Sequence, residues 1–273
     1  MRALLTVLML LGGALAATPS KVETLHIKTN TLGRTMTVRV YLPPDYDKQK
    51  KYPTAYLLHP YGGNASFWFG SMQTRKVMDR LLEEKKVQPM LIVSPDYDNS
   101  FAVNSREAIA GVNAGRYADY IVQELIPYID NRYSTTTSRD GRFIGGTSMG
   151  GFAALFLGLT YTELFSKIAV QSAAIWDGNN DLYQDQRDWL YATPALKADR
   201  DPFQLLSKVN LKSLVFRVDV GKSDPLRDVN EHLVRALREA GAQVEFSEEK
   251  GGHDTAYWSS QLPGLLTFFG KAP

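Results

Sequence analysis

Residues 142–159 decide the fold, and they read RFIGGTSMGGFAALFLGL. Arg142 to Thr147 is an apolar run that predicts a buried strand, and Gly150 to Leu159 is an apolar stretch that predicts a helix. Between them, residues 146–150 have the pattern Gly-x-Ser-x-Gly. A strand, a turn flanked by glycines and an immediate helix hold a serine in strained backbone geometry with its hydroxyl exposed. The segment therefore predicts a nucleophile at Ser148, and the alternative is a glycine-rich helix start with a capping serine.

Strand and helix patterns alternate on both sides of this segment. The predicted strands are residues 23–30 and 34–41, which form a hairpin, then 54–59, 90–94, 142–147, 167–170, 214–220 and 243–247. The predicted helices are residues 74–85, 117–133, 150–159, 229–240 and 259–269. We expect Pro127 to kink the helix that contains it. This alternation predicts an α/β fold, with a mostly parallel central sheet and helices on both faces.

One segment, Ala173 to Asn210, interrupts the alternation and is rich in Asp, Asn, Gln and aromatic residues. It is too long for a simple connection, so we interpret it as an insertion over one end of the sheet. Its Trp176 and Trp189 are candidates to line a substrate cleft. Ordinary packing within a helical cap is the alternative for both indoles.

A serine hydroxyl needs a base before it becomes a useful nucleophile. The chain has four histidines: His26, His59, His232 and His253. His253 directly follows the last predicted strand, where loops at the carboxyl ends of parallel strands converge. We therefore predict that His253 is the general base. We expect His59 to brace the loop after an early strand by hydrogen bonding.

The imidazole in turn needs a carboxylate that fixes its tautomer and stabilises its charged form. Asp224 follows the predicted strand 214–220 by a short turn that contains Gly221. The chain order Ser, acid, His is the one expected for this topology. Asp224 is therefore the predicted acid, and Asp219, on the strand itself, is the second candidate.

Attack on an ester carbonyl also requires donors for the developing oxyanion. The amide of Met149, directly after the nucleophile, is one predicted donor. The second is expected from the loop after strand 54–59, where Pro60 has no amide hydrogen. We therefore predict Tyr61 as the second donor, with Gly62 as the next candidate and as a residue that contacts substrate.

Composition excludes several classes of function. The chain has 273 residues, of which 44 % are hydrophobic, and 31 Lys and Arg against 29 Asp and Glu give a net charge of +2. We expect no nucleic-acid partner, because there is no polybasic region, and the apolar content excludes a disordered acidic chain. The absence of cysteine excludes disulfides, thiolate zinc sites and cysteine nucleophiles. We expect no metal and no organic cofactor.

The N-terminus has the features of a signal peptide. Arg2 is followed by an apolar run, Ala3 to Leu11, and by the small-residue cleavage site Ala14-Leu15-Ala16. This run is shorter than the ~20 residues that a membrane span needs. We therefore predict that residues 1–16 are a signal peptide, that residues 17–273 form one catalytic domain, and that the protein is secreted or periplasmic without stable membrane insertion.

These motifs together resemble the esterase D-like family of the α/β-hydrolases, which includes feruloyl and acetylxylan esterases, S-formylglutathione hydrolases, enterochelin esterases and mycolyltransferases. The likeness runs from about Arg34 to Phe269. It is carried by Tyr56-Leu57-Leu58-His59 with Gly62-Gly63, by Val93-Ser94-Pro95-Asp96, by Glu124-Leu125-Ile126-Pro127-Tyr128, by Gly145 to Gly151, by Gly221 with Asp224, and by Gly252-His253 with Trp258. The resemblance implies an α/β-hydrolase fold, the triad Ser148, Asp224 and His253, and an oxyanion hole formed by the amides of Tyr61 and Met149. The sequence departs from the family at Pro60, where many members have glycine.

Three functions are compatible with these residues. The first is a secreted serine carboxylesterase that hydrolyses a small-molecule or carbohydrate-linked ester through an acyl-enzyme. The second is an acyltransferase in which an alcohol replaces water on the same intermediate. The third is a non-catalytic carbohydrate-binding module on this fold, because a fold alone does not establish a function. The sequence leaves the natural ester and the oligomeric state open.

Overall fold

A computed structural model describes residues 18–109, 111–178 and 181–271, so the predicted signal peptide, residues 1–16, lies outside the described residues. The strands found there are β1 Lys21–Lys28, β2 Thr35–Leu42, β3 Thr54–Leu58, β4 Leu91–Pro95, β5 Asn104–Ser105, β6 Gly115–Arg116, β7 Arg142–Thr147, β8 Lys167–Gln171, β9 Val215–Gly221 and β10 Gln243–Glu249. The α-helices are α1 Thr74–Glu83, α2 Tyr117–Asp119, α3 Ile126–Arg132, α4 Met149–Thr160, α5 Gln184–Leu190, α6 Pro194–Arg200, α7 Pro202–Leu206, α8 Arg227–Glu239 and α9 Thr255–Gly270.

Eight of these strands form one central sheet in the order β1-β2-β4-β3-β7-β8-β9-β10. The strands β1 and β2 form the predicted antiparallel hairpin, and β2 also pairs antiparallel with β4. From β4 to β10 every neighbouring pair is parallel. The sheet is therefore mostly parallel, and the predicted α/β fold is confirmed.

Both faces of the sheet are covered, which explains why its central strands are mostly apolar. In β3, Tyr56 and Leu58 belong to one buried cluster, whereas Ala55 and Leu57 belong to the other. Side chains alternate between the two faces of a strand, so each cluster lies on one side of the sheet. Helices α4 and α8 contribute to the first cluster, and α1 and α9 contribute to the second.

The helix predicted over residues 117–133 is divided by a wider turn. The π-helical turn Tyr120–Leu125 separates α2 from α3, and the amide of Ile126 donates to the carbonyl of Ile121, five residues earlier. Pro127 lies in the first turn of α3 and has no amide hydrogen to donate. The structure therefore has a disturbance at this place, and its form is a π turn that ends two residues before the proline.

The insertion predicted between residues 173 and 210 contains the short helices α5, α6 and α7. Helix α7 packs against α4, directly behind the strand–turn–helix segment. Within the described ranges, no helix combines the length and apolar character that crossing a bilayer requires.

Candidate active site

Ser148 lies on the tight turn between β7 and α4. Its backbone has φ 55° and ψ −116°, a conformation that L residues rarely adopt. The turn is possible because its flanking glycines lack side chains: a Cβ on Gly146 would lie 2.2 Å from the carbonyl oxygen of Gly150, and a Cβ on Gly150 would lie 2.2 Å from that of Leu58. The strain is thus maintained by close packing of β3 against the start of α4, as expected for a functional turn.

The structure brings the three predicted side chains into one hydrogen-bonded line. His253 Nε2 lies 2.8 Å from Ser148 Oγ. On the other side of the imidazole, Nδ1 lies 3.0 Å from Oδ2 and 3.2 Å from Oδ1 of Asp224. This arrangement can accept a proton from the serine hydroxyl and stabilise the resulting imidazolium.

Parallel pairing of β9 with β10 explains how the acid and the base meet. Their last residues, Gly221 and Glu249, are in register, so Asp224 and His253 leave the sheet at the same edge. Beyond the strands, the amide of Ser223 donates to the carbonyl of Gly251 at 2.8 Å. A Cβ on Gly221 would lie 2.4 Å from that carbonyl oxygen, so only glycine permits this close approach.

Asp224 is held in its ionised form. Burial raises the pKa of this carboxyl, but hydrogen bonding and charge from His253, a hydrogen bond from Ser172 and the amide of Leu226 outweigh burial, so the pKa lies below its usual value. The Leu226 amide donates to Oδ1 at 2.8 Å. A carboxylate that is buried, ionised and fixed by a backbone amide is suited to orient an imidazole.

Asp219, the second candidate for the acid, lies fully buried on β9. Arg217 Nε is 3.5 Å from its Oδ2, and neither carboxylate oxygen has a hydrogen bond within the described part of the chain. Burial raises the pKa of Asp219 to about 7, although Arg217, Gln171 and Tyr257 lower it. The structure therefore brings Asp224, and not Asp219, to the imidazole.

Two backbone amides are available beside the serine. Met149 is the first residue of α4, so its amide has no acceptor within the helix. Neither this amide nor that of Tyr61 donates to a protein acceptor in the residues the structure describes. The amide of Gly62, the other candidate, donates to Asn99 Oδ1 at 2.7 Å. The amides of Met149 and Tyr61 are therefore without a protein acceptor among the described residues, and the positive end of the α4 dipole lies at Met149.

His59 braces the loop that carries Tyr61, as the sequence indicates. Its ring is fully buried, with Nδ1 2.9 Å from the carbonyl oxygen of Pro60 and Nε2 3.6 Å from Asp96 Oδ1. Tyr97 packs against the ring and donates its hydroxyl to the carbonyl of His59 at 2.5 Å. The histidine is thus a structural support for the loop.

A cavity of about 710 Å³ opens over the serine. Ser148 and His253 lie in its wall together with Tyr61 and Gly62. Most of the other residues that line it are apolar or aromatic, and they include Phe67, Phe101, Met149, Ala174, Tyr183, Gln186 and Trp258. Across the described ranges, no group of three or more His, Asp or Glu side chains could hold a metal ion. An ester with a sizeable apolar part fits this cavity.

Trp176 and Trp189 are not among the residues that line the cavity. Both are buried, and their indole N–H groups donate to the carbonyls of Leu182 at 2.6 Å and Glu107 at 3.0 Å. The expectation that they line the cleft is therefore corrected: both rings pack against Phe101, at centroid distances of 6.3 and 6.4 Å, as part of the apolar core. The residues of the insertion that do line the cavity are Ala174, Tyr183 and Gln186.

Comparison with known proteins agrees with this geometry. A model of the family described as "Putative esterase" matches residues 29–269. The chain belongs to this esterase family. An acetyl esterase from Caldicellulosiruptor saccharolyticus is 26% identical over 271 residues, which cover 90% of this chain and 97% of that relative. An endo-1,4-beta-xylanase/feruloyl esterase from Xylanibacter ruminicola is 31% identical over 143 residues, or 50% of this chain and 19% of that relative.

Solved structures give the same family. A ferulic acid esterase superposes with a TM-score of 0.78 and 28% identity, covering 93% of this chain and 98% of the other. The fluorophosphonate-binding serine hydrolase F of Staphylococcus aureus superposes with a TM-score of 0.77 at 22% identity, over 93% and 100% of the two chains, and shares the fold. The protein is an enzyme that hydrolyses carboxylic esters.

Phe101 carries no clear signal in the sequence, and Trp258 is indicated there only as part of the family resemblance. Phe101 lies in the irregular segment between β4 and β5, with φ 54° and no periodic pattern around it. Trp258 packs edge-on against the His253 ring, with centroids 5.1 Å apart. Asp254 could have indicated Trp258, because its side chain caps the start of α9 at 2.9 Å from the Tyr257 amide and places residue 258 in the first turn.

Proposed function

We propose that the esterase acts through an acyl-enzyme formed on Ser148, with His253 as the general base and Asp224 as the orienting acid. The observation that carries this proposal is the 2.8 Å contact between His253 Nε2 and Ser148 Oγ on a strained turn inside the cavity. Such an aligned hydroxyl and imidazole, with a carboxylate behind the imidazole, is the arrangement that activates a serine nucleophile.

In the first half-reaction, Ser148 Oγ forms a bond to the acyl carbon and its proton moves to His253 Nε2. The carbonyl oxygen becomes an oxyanion that accepts hydrogen bonds from the amides of Tyr61 and Met149. The bond to the alcohol then breaks, and the departing oxygen takes the proton from His253. In the second half-reaction, His253 takes a proton from water and the hydroxide adds to the acyl carbon. The bond between Ser148 Oγ and the acyl carbon then breaks, Oγ takes the proton back from His253, and the acid is released.

The test compares Ser148→Ala and His253→Ala with Ser207→Ala, using 4-nitrophenyl acetate. Ser207 is the matched control, because its hydroxyl is exposed and donates to the carbonyl of Gln204, in the same turn of chain. The two site variants should lose about 10⁶-fold in kcat, and the control should keep the original rate. A covalent serine-directed fluorophosphonate should label the parent protein at Ser148. Near-normal turnover by Ser148→Ala would refute the proposal.

We propose esters of aromatic acids on a carbohydrate alcohol as the preferred substrates. Phe67, Phe101 and Trp258 line the same cavity as Ser148, and aromatic walls suit a flat aromatic acyl group. One relative's name includes feruloyl esterase activity and another is an acetyl esterase, so methyl ferulate, a feruloylated sugar and an acetylated sugar form the decisive panel. A higher kcat/KM for the acetyl ester than for the feruloyl esters would contradict the aromatic preference.

We propose that the esterase is exported and works in the periplasm or outside the cell. The support is the N-terminal sequence, with Arg2, the apolar run from Ala3 to Leu11 and the small residues Ala14 to Ala16. Mass spectrometry of the protein purified from culture medium or periplasm should show a chain that begins near Ala17. An intact N-terminus in the cytosolic fraction would refute export.

A further inference from the structure

The loop that presents Tyr61 is a tight turn of defined type. The amide of Gly63 donates to the carbonyl of Pro60 at 2.9 Å, and Gly62 has φ 75°. This combination defines a type II turn over residues 60–63, in which the third residue requires positive φ and is therefore glycine. The amide of Gly62 belongs to the central peptide of this turn, and the orientation of that peptide distinguishes type II from type I.

One side chain holds the central peptide from outside the turn. Asn99 Oδ1 accepts the Gly62 N–H at 2.7 Å. The backbone of Asn99 is itself held, because its amide donates to Asn113 Oδ1 at 3.3 Å and its carbonyl accepts the Asn113 amide at 3.4 Å. The segment from Asn99 to Asn113 also holds Tyr61, because the Tyr61 hydroxyl donates to the carbonyl of Gly111 at 2.5 Å. The turn is thus fixed by contacts 37 and 50 residues along the chain.

We propose that Asn99 is a positioning residue for oxyanion stabilisation, which it achieves by holding the 60–63 turn so that the Tyr61 amide stays directed at the reacting carbonyl. This inference rests on the proposed function of Ser148. Asn99 is not among the residues that line the cavity, so it acts through the turn and not on the substrate. It also removes the Gly62 amide as a competing donor, because that N–H is already engaged.

The loss of kcat expected without the Asn99 contact can be estimated from the effect of removing an oxyanion donor. Removing one oxyanion donor outright lowers kcat by about 10²–10³-fold. Loss of the Asn99 contact leaves the Tyr61 amide present, one peptide before the released central peptide, but less firmly held, so the decrease should be smaller, about 10- to 100-fold in kcat. KM should stay unchanged, because an interaction that strengthens only in the transition state affects kcat and not ground-state binding.

The test compares two substitutions of similar size. Asn99→Leu removes the acceptor, whereas Asn99→Asp keeps an oxygen acceptor for the Gly62 amide. We expect the Leu variant to lose about 10- to 100-fold in kcat on 4-nitrophenyl acetate, and the Asp variant to keep most of the parent's kcat. Asn210→Ala is the matched control, because Asn210 accepts from the Lys212 amide in an exposed turn outside the cavity lining.

A second measurement separates positioning from folding. An alkyl boronic acid adds to the serine and places an oxygen where the oxyanion forms, so its affinity should fall with kcat in the Leu variant and return in the Asp variant. If the Leu variant does not fold, as judged by circular dichroism, Asn99→Ala takes its place. Parent-like kcat in the variant without an acceptor, or equal losses in both variants, would overturn the inference. Activity retained by Ser148→Ala would instead show that the proposed function has failed.

Discussion

Asp219 gives the sharpest prediction about stability. Its carboxyl is fully buried without a hydrogen bond among the described residues, and its pKa is raised to about 7 from an ordinary 3.8. The folded protein therefore keeps a proton on Asp219 in the range where the unfolded chain has lost it. At about 1.4 kcal/mol per pKa unit, ionised Asp219 costs the folded state about 4 kcal/mol once the pH exceeds both pKa values.

The direction of the pH effect on stability follows from the number of protons that each state binds. Below pH 3.8 the carboxyl is mostly protonated in both the folded and the unfolded state, so it does not lower the free energy of unfolding. Between pH 3.8 and about 7 the folded state binds more protons than the unfolded state, so the free energy of unfolding falls as the pH rises. Asp219→Asn cannot ionise and mimics the protonated acid. The difference in free energy of unfolding between this variant and the parent should therefore grow by about 3 kcal/mol as the pH rises from about 4.5 to about 8.5.

Urea unfolding followed by tryptophan fluorescence measures this difference, because contributions from all other groups cancel between the two proteins. The variant should also retain its kcat, since Asp224 is the carboxylate that contacts the imidazole. A difference in unfolding free energy that is constant across the pH range would refute the reasoning. If Asp219 were ionised as the partner of Arg217, its replacement would instead destabilise the protein, by about 3–5 kcal/mol at neutral pH.

Three further substitutions test other parts of the structure. Asp224→Asn should lower kcat by about 10⁴-fold in an aryl acetate assay, because an amide does not hold the imidazole in the required tautomer. A loss of less than about tenfold would contradict that role. Trp176→Ala should lower the free energy of unfolding, measured in urea, by about 3–5 kcal/mol. A raised KM at unchanged stability would instead indicate that the indole binds substrate. Gly150→Ala would place a Cβ 2.2 Å from the Leu58 carbonyl oxygen, so it should yield no folded, active enzyme; soluble expression with parent-like turnover would disprove this packing.

Local patterns are sufficient for much of the fold. The strand predicted over Arg142 to Thr147 matches β7 residue for residue, and the following helix was predicted one residue short at each end. Long apolar runs bounded by glycine or proline leave few alternatives. The segment around Pro127 is different, because the sequence indicates a disturbance there but the surrounding packing selects a π turn.

The insertion shows the limit of such patterns. Its aromatic residues are evident in the sequence, but an aromatic ring serves equally well in a core or in a cleft. Trp176 and Trp189 are packed, whereas Tyr183 faces the cavity. Because this difference depends on how α5 and the residues before it lie against α4 and the β4–β5 segment, no local periodicity could have revealed it.

From the linear sequence one can predict the proposed nucleophile, because the pattern of a strand, a serine flanked by glycines and a helix is local. The sequence also ranks Asp224 before Asp219 and Tyr61 before Gly62, but only the folded chain shows Asp224 at the imidazole and Asn99 engaging the Gly62 amide. These contacts depend on burial and on hydrogen bonds between segments tens of residues apart. Such contacts exist only once the sheet edge has brought the loops together, so they cannot be inferred from neighbouring residues.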